Sequence, residues 1–317
     1  MAIRTSSASK RPKLSKLRLL LLGLGLGGFY FLLPKFGNFH DSLALWHHVT
    51  WPWLGVALIA LAATYAAAAA VYVLLALQPL RYFRTYMVQL ASMFANRLLP
   101  AGIGAISVNY AYLRRNHHTK TQASAVVTSN NLLGFVGHML LLVGVLVSTR
   151  VAVTTRQPTV PKQYIVYGLT ITAIIVGVLL VWQTLRSRFL KAIRQLLVVL
   201  SGYRQRPGSV VGAVACSMAL TSLYVLTLYA CSRALGLDIA ISKIFIVMTF
   251  GVVGATAVPT PGGLGGAEAG LVGGLILYGA NSSVALGVAL LYRLLTFWLS
   301  LVVGAVVFIA LERRHYM

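Results

Sequence analysis

Long apolar runs separated by short basic segments form the main pattern of this chain. Six runs are long enough to cross a bilayer as helices, because about 20 apolar residues span its hydrocarbon core. They cover residues 17–33, 53–77, 121–147, 163–185, 209–235 and 283–311. The pattern predicts an all-α polytopic membrane protein, with a basic tail at residues 1–16 and a single integral membrane domain at residues 17–317.

Proline and glycine interrupt two further apolar stretches. The first follows an amphipathic stretch at residues 81–99, and the second covers residues 258–270. The interrupting residues are Pro100, Gly102, Gly104, Pro261, Gly262, Gly263 and Gly265. Proline cannot donate a helical hydrogen bond, and broken backbone survives in lipid only where protein or a water-filled cavity surrounds it. We therefore predict two re-entrant helical hairpins; an ordinary loop at the membrane surface is the alternative for the second stretch.

The two interrupted stretches align with each other, and so do the spans around them. Residues 100–104 match residues 261–265 at an offset of 161 positions, and the same offset relates the neighbouring spans. The repeat divides the chain into halves at about residues 17–148 and 163–311. Three full crossings in each half give the halves opposite orientations. Inverted repeats with broken helices in matching positions are typical of transporters, and the broken helices indicate the binding site.

Composition and charge agree with a membrane protein. Of the 317 residues, 58% are hydrophobic and 10% are charged, and the mean hydropathy is +0.82. Lys and Arg total 27 against 4 Asp and Glu, a net charge of +23 that would suggest nucleic acid in a soluble protein. Here most basic loop residues share one side of the membrane when both termini are cytoplasmic, which satisfies the positive-inside rule. We expect anionic membrane lipids as partners and no nucleic acid.

Three charged residues lie inside apolar segments, where charge is costly and usually functional. They are Arg97, Glu268 and Arg293. One hypothesis is that Arg97 and Arg293 hold a lipid phosphate while Glu268 orients Arg293. The alternative is a Glu268–Arg293 pair that only fastens the second hairpin to the last span. Asn131 lies on a polar stripe of the span at residues 121–147, which faces either neighbouring helices or a cavity.

Motifs for common chemistry are missing from the sequence. It has no pattern for nucleotide binding, zinc hydrolysis, redox disulfides or a serine nucleophile. We therefore expect no catalytic residue, cofactor or metal ion, and a transporter driven by a gradient or by downstream consumption. Two alternatives stay open: a membrane-embedded lipid-modifying enzyme, and a non-catalytic subunit of a lipid or envelope biosynthesis complex. Association into homo-oligomers or with lipid-synthesis proteins also stays open.

Three segments resemble signatures of the lysylphosphatidylglycerol synthase transmembrane-region family. They are NRLLPAGIG at residues 96–104, VPTPGGLGGAEAG at 258–270 and LLYRLLTFWLSLVVGAV at 290–306. The resemblance implies a flippase-like protein of the bacterial inner membrane, with Glu268 after the glycine turn and the pair Tyr292–Arg293 in the last span. Larger members carry a soluble aminoacyl-transfer domain after the membrane part. This chain resembles a short form without it, so synthase activity is not expected.

Overall fold

The computed structural model describes residue 42 and residues 45–99, 102–149, 206–257 and 260–313, and all regular structure in these ranges is helical. The α-helices are α1 (Trp51–Leu75), α2 (Tyr82–Leu98), α3 (Ile103–Arg115), α4 (Lys120–Thr149), α5 (Pro207–Ala234), α6 (Ile241–Ala257), α7 (Gly266–Leu277), α8 (Ser282–Arg293) and α9 (Ser300–Arg313). Short 3-10 turns cover Leu45–His48 and Pro261–Gly263, and a π-helical segment, Leu294–Leu299, joins α8 to α9. The predicted spans at residues 17–33 and 163–185 lie outside the described residues, as does the basic tail.

In the described ranges, four helical units are long and apolar enough to cross a membrane. They are Trp51–Leu75, Lys120–Ser148, Pro207–Ala234 and Ser282–Arg313. Because they coincide with four predicted spans, the prediction of an all-α polytopic membrane protein is confirmed, while the number of six crossings stays a prediction. The first and third units begin with proline in the first turn. Proline fits there because the first N–H groups of a helix have no partner within the helix.

Helices α2 and α3 form an antiparallel hairpin at the first interruption. Gln89 Nε2 donates a hydrogen bond to Asn109 Oδ1 at 2.8 Å, midway along the pair. Towards the tip, Gly104 lies so close to the Ala95 carbonyl that a Cβ at position 104 would collide with it. Gly102 precedes α3 with a φ of 76°, a left-handed conformation that favours glycine. Glycine therefore sets both the direction of the chain at this tip and the distance between the two helices.

Helices α6 and α7 form the second hairpin, and its two helices also touch through glycine. Gly254 faces Gly266, and Gly270 faces Phe250, at distances that leave no room for a Cβ. The tip is the 3-10 turn, in which Gly262 has a φ of 62°. The second Pro/Gly stretch is thus the tip of a helical hairpin. Its entry into the bilayer stays a prediction.

The order of elements repeats along the described chain in the way that the offset predicts. Helix α1 corresponds to α5, α2 to α6, α3 to α7, and α4 to the unit of α8, the π-helical segment and α9. Helices α1 and α5 pack antiparallel: Thr50 N donates to Ala234 O at 3.0 Å at one end, and Leu74 packs against Gly212 at the other. Corresponding helices that run in opposite directions are what an inverted repeat requires.

The last span contains the π-helical segment near its middle. Turns of this kind are rare inside α-helices and occur frequently at functional sites. One stripe of the span faces the protein interior and continues through the segment; its buried members are Ala289, Arg293, Thr296, Ser300 and Gly304. The span therefore presents one polar face to the protein interior along most of its length, in spite of the change in helical form.

The two hairpins reach the last span from opposite ends. The open end of the first hairpin packs near the C-terminus of α9, where Leu311 joins Val88 and Tyr112 in one apolar cluster. The second hairpin leads into α8 through residues 278–281, so its open end lies near the start of that helix. Both tips contact the middle of the span, around Arg293 and Thr296. The candidate site lies where these tips meet.

Candidate functional site

Glu268 and Arg293 form a buried ion pair between the second hairpin and the last span. Arg293 Nε donates to Glu268 Oε1 at 2.5 Å, and the two side chains are only 8% and 6% exposed. Arg293 Nη2 also donates to the Gly262 carbonyl at 3.0 Å. The second carboxylate oxygen of Glu268 accepts the backbone N–H of Gly265 at 2.7 Å, which caps the start of α7. This geometry is the fastening contact that the alternative hypothesis describes.

Arg97, at the end of α2, has no such counter-charge among the described residues. Its Nη2 donates to the Thr296 carbonyl at 2.7 Å, which ties the first hairpin to the last span. Its Nε is enclosed and has no hydrogen-bond partner within the described part of the chain. Neither ion pair found in the described ranges includes it. The Arg97 side chain as a whole is partly buried. Withdrawing a guanidinium from water without a carboxylate is destabilising, by up to several kcal/mol when burial is complete.

Phe297 brings the two arginines together. The guanidinium carbon of Arg97 lies 5.2 Å from the centroid of its ring, and that of Arg293 lies 4.8 Å from it. Both distances are within the range of cation–π attraction, which favours arginine over the face of an aromatic ring. The π-helical segment supplies Phe297 and the carbonyl of Thr296, so this segment positions both cations.

A cavity of about 230 Å³ opens beside the arginines. Its lining comes from both hairpins, from α5 and from the last span, and its polar members are Asn96, Arg97, Tyr224, Tyr292, Arg293 and Thr296. Tyr292 is buried, and its hydroxyl contacts Met248 Sδ at 3.4 Å. The described charges at this place are two arginines and one glutamate, a formal excess of one positive charge. The cavity can therefore accept one negative charge.

A second cavity, of about 310 Å³, is lined by the first hairpin together with α1, α4 and α5. It shares Met93 and Asn96 with the first cavity, so the two adjoin. Asparagine, glutamine, serine and tyrosine side chains line it together with apolar ones, and none of its described lining residues is charged. The molecule thus places a positively charged chamber and a neutral polar chamber next to each other.

The structure brings most of the predicted site residues to the first cavity or to the hairpin tip beside it. Those residues are Arg97, Pro261, Gly262, Gly263, Gly265, Glu268, Tyr292 and Arg293. Asn131 and Gly102 line the second cavity instead, and Gly104 packs inside the first hairpin. Pro100 lies outside the described residues.

Three residues at the first cavity and the arginines beside it were not identified from the sequence. Asn96 lines both cavities, and its buried Oδ1 has no partner among the described residues. Its position next to Arg97, in the segment NRLLPAGIG, could have indicated it. Tyr224 and Phe297 carry no comparable signal, because one comes from a distant span and the other reads as an ordinary aromatic residue of an apolar helix.

Metal-site chemistry finds no support in the described ranges, where no three His, Cys, Asp or Glu side chains come together. In a comparison with protein families, residues 18–304 match the family described as the lysylphosphatidylglycerol synthase TM region. The matched range includes both hairpins and all three charged residues of the site. A comparison with curated proteins found no significant match.

Proposed function

The chain belongs to the lysylphosphatidylglycerol synthase TM region family, and from this premise we propose that it is a flippase-like transporter of an anionic membrane lipid. Membership makes it a membrane protein of lipid metabolism or transport. The proposal adds that the lipid phosphate binds in the first cavity, between Arg97 and Arg293. It also places the protein in a bacterial inner membrane with both termini in the cytoplasm, as the distribution of basic residues suggests.

The observation that carries the proposal is the uncompensated charge of Arg97. Glu268 already occupies Arg293 through a 2.5 Å contact, so it leaves one positive charge unbalanced beside the cavity. A phosphodiester carries one negative charge and would neutralise that excess. Charge-assisted hydrogen bonds from guanidinium to phosphate are short and about twice as strong as neutral ones. A lipid phosphate would thereby offset the cost of enclosing Arg97.

The arrangement of hairpins supports movement between leaflets. Their tips meet at the candidate site from opposite ends of the last span, and the elements around them repeat in opposite directions. In transporters of this kind, one repeat moves against the other around a fixed site near the middle of the membrane. A headgroup held between the tips would then become accessible from each side in turn.

We also propose that the protein performs no chemical step on its substrate. Glu268 is the carboxylate at the site, and both of its oxygens are engaged, one by Arg293 and the other by the N–H of Gly265. A general acid or base needs an oxygen within reach of substrate. Lipid recovered chemically unchanged after transport would agree with this, whereas turnover by the purified protein would favour the enzyme alternative.

The test is a transport assay with purified protein in proteoliposomes that contain fluorescent phosphatidylglycerol. Exposure of the lipid at the outer surface is followed by quenching with an impermeant reductant. Arg97→Gln should reduce the initial rate by about ten-fold to one hundred-fold, the equivalent of one or two hydrogen bonds to a charged group. Arg81→Gln is the matched control, since Arg81 precedes the same helix, is exposed and lies far from the tip.

Equal transport by the wild type and Arg97→Gln would remove the phosphate site from consideration. Absence of transport by a folded wild type would instead support the alternative that the protein is a non-catalytic subunit of a lipid or envelope biosynthesis complex. In that case Arg97→Gln should rescue a deletion strain as well as the wild type does.

A further inference from the structure

The second cavity is lined by hydrogen-bonding side chains, and none of its described lining residues is charged. Five amide side chains line it: Gln89, Asn96, Asn109, Asn130 and Asn131. An amide donates through its nitrogen and accepts through its oxygen, as a hydroxyl group can also do through one oxygen atom. The cavity volume, about 310 Å³, is at the lower end of the range for pockets that hold small molecules. Its chemistry therefore suits an uncharged, hydroxyl-bearing group.

Two of the amides are already engaged with each other. Gln89 donates to Asn109 Oδ1 at 2.8 Å, and Asn109 Nδ2 donates to the Ala105 carbonyl at 2.9 Å, which fixes that wall of the cavity. By contrast, Asn96 Oδ1 is enclosed and has no hydrogen-bond partner among the described residues. Asn130, which is half-buried, and Asn131, which is exposed, line the cavity as well. Buried polar groups nearly always have a partner, so the enclosed Asn96 Oδ1 indicates a ligand that donates a hydrogen bond. Asn130 and Asn131 offer the same ligand further donors and acceptors.

We propose that the second cavity binds the hydroxyl-bearing, uncharged part of the headgroup of the same anionic lipid whose phosphate lies beside Arg97. This inference rests on the proposed function, because it takes the phosphate position from it. Asn96 lies at the junction, since it lines both cavities and directly precedes Arg97. A phosphodiester beside Arg97 would extend its headgroup past Asn96 towards Asn130 and Asn131.

The same chemistry disfavours two other headgroup classes. An amine would bring a positive charge into a cavity whose described lining offers no carboxylate. An alkyl group would cover Asn96, Asn130 and Asn131 without satisfying them, and each unsatisfied buried amide costs about 1–3 kcal/mol. Phosphatidylglycerol and inositol or sugar phospholipids fit the cavity, whereas phosphatidylethanolamine and phosphatidylethanol do not.

A binding experiment tests this separately from transport. The full chain in detergent is titrated with short-chain phosphatidylglycerol and with short-chain phosphatidylethanol, which carries the same phosphodiester and no headgroup hydroxyl. The wild type should bind phosphatidylglycerol about ten-fold more tightly, as expected from one or two net hydrogen bonds. The variant Asn130→Leu/Asn131→Leu should reduce this preference to less than about two-fold by weakening only the phosphatidylglycerol complex.

Two variants keep the result interpretable. Asn131→Leu alone, at an exposed position of α4, should lose part of the preference without affecting folding. Thr128→Val removes a hydrogen-bonding group from the same helix at a residue that lines neither cavity, and it should keep the full preference. sn-Glycerol 3-phosphate is the third ligand, and it should bind much more weakly than the lipid.

Equal affinity of the wild type for the two lipids, or no binding of either, would overturn the inference. So would a preference that survives in Asn130→Leu/Asn131→Leu, or tight binding of sn-glycerol 3-phosphate with no gain from acyl chains. The proposed function fails in a different way, through absent transport or through an active Arg97→Gln. A wild type that transports both lipids equally would keep the function and reject only the headgroup site.

Discussion

Removing the partners of the Glu268–Arg293 pair one at a time and then together distinguishes a fastening contact from a binding site. Each single change leaves the other charge enclosed, and breaking a buried pair costs about 3–5 kcal/mol. Arg293→Gln should lie at the upper end of that range, because it also removes the donor to the Gly262 carbonyl. Glu268→Gln should lie at the lower end, because the amide oxygen of glutamine can still accept the Gly265 N–H.

The double variant Glu268→Gln/Arg293→Gln should recover most of the stability. Both charges are gone, and two amides of similar length can bond to each other, so we expect it within about 1–2 kcal/mol of the wild type. The coupling between the two positions then appears as strong non-additivity in the double-mutant cycle. Unfolding in mixed micelles by increasing SDS, followed by tryptophan fluorescence, gives the free energy of unfolding of all four proteins.

Transport by the same four proteins provides the second half of the test. The proposed site needs Arg293 beside the phosphate, so the double variant should be folded and inactive. A folded double variant with near-normal transport would mean that the pair only fastens the hairpin. Additive losses of stability would contradict the reasoning in another way, since they would show that the two charges do not interact across their 2.5 Å contact.

Three further predictions concern other parts of the molecule. In the absence of lipid, Arg97→Gln should be as stable as the wild type or more stable, because it removes a partly buried charge that has no carboxylate partner among the described residues; a large loss in SDS unfolding would count against this. Gly254→Leu should destabilise the protein by at least about 1–3 kcal/mol, measured in the same way, because Gly266 leaves no room for a side chain. On a background without native cysteines, an impermeant thiol reagent applied to right-side-out vesicles should label a cysteine at Arg156 and miss cysteines at Arg114 and Arg204; labelling of the Arg204 position would reverse the proposed orientation.

The sequence by itself determined which segments leave water and where helices are broken. Four predicted spans coincide with helical units of the structure, because a run of about 20 apolar residues has few ways to satisfy its backbone in lipid other than a helix. The two hairpin tips were predictable for a related reason, since proline and glycine act on the backbone where they stand. The offset of 161 residues followed from the spacing of these local signals and required no knowledge of contacts.

Only the tertiary structure decided which of the candidate site residues contact one another. Sequence singled out the charged residues, but it could not decide that Glu268 pairs with Arg293 while Arg97 bonds across 199 positions to a carbonyl. It left open whether Asn131 faces neighbouring helices or a cavity, whereas packing places this residue at the second cavity. It gave no sign of the π-helical segment that carries Phe297 between the two cations. Helical periodicity specifies which face of a helix is polar, whereas the partner of that face depends on how separate helices pack, which is a property of the whole chain.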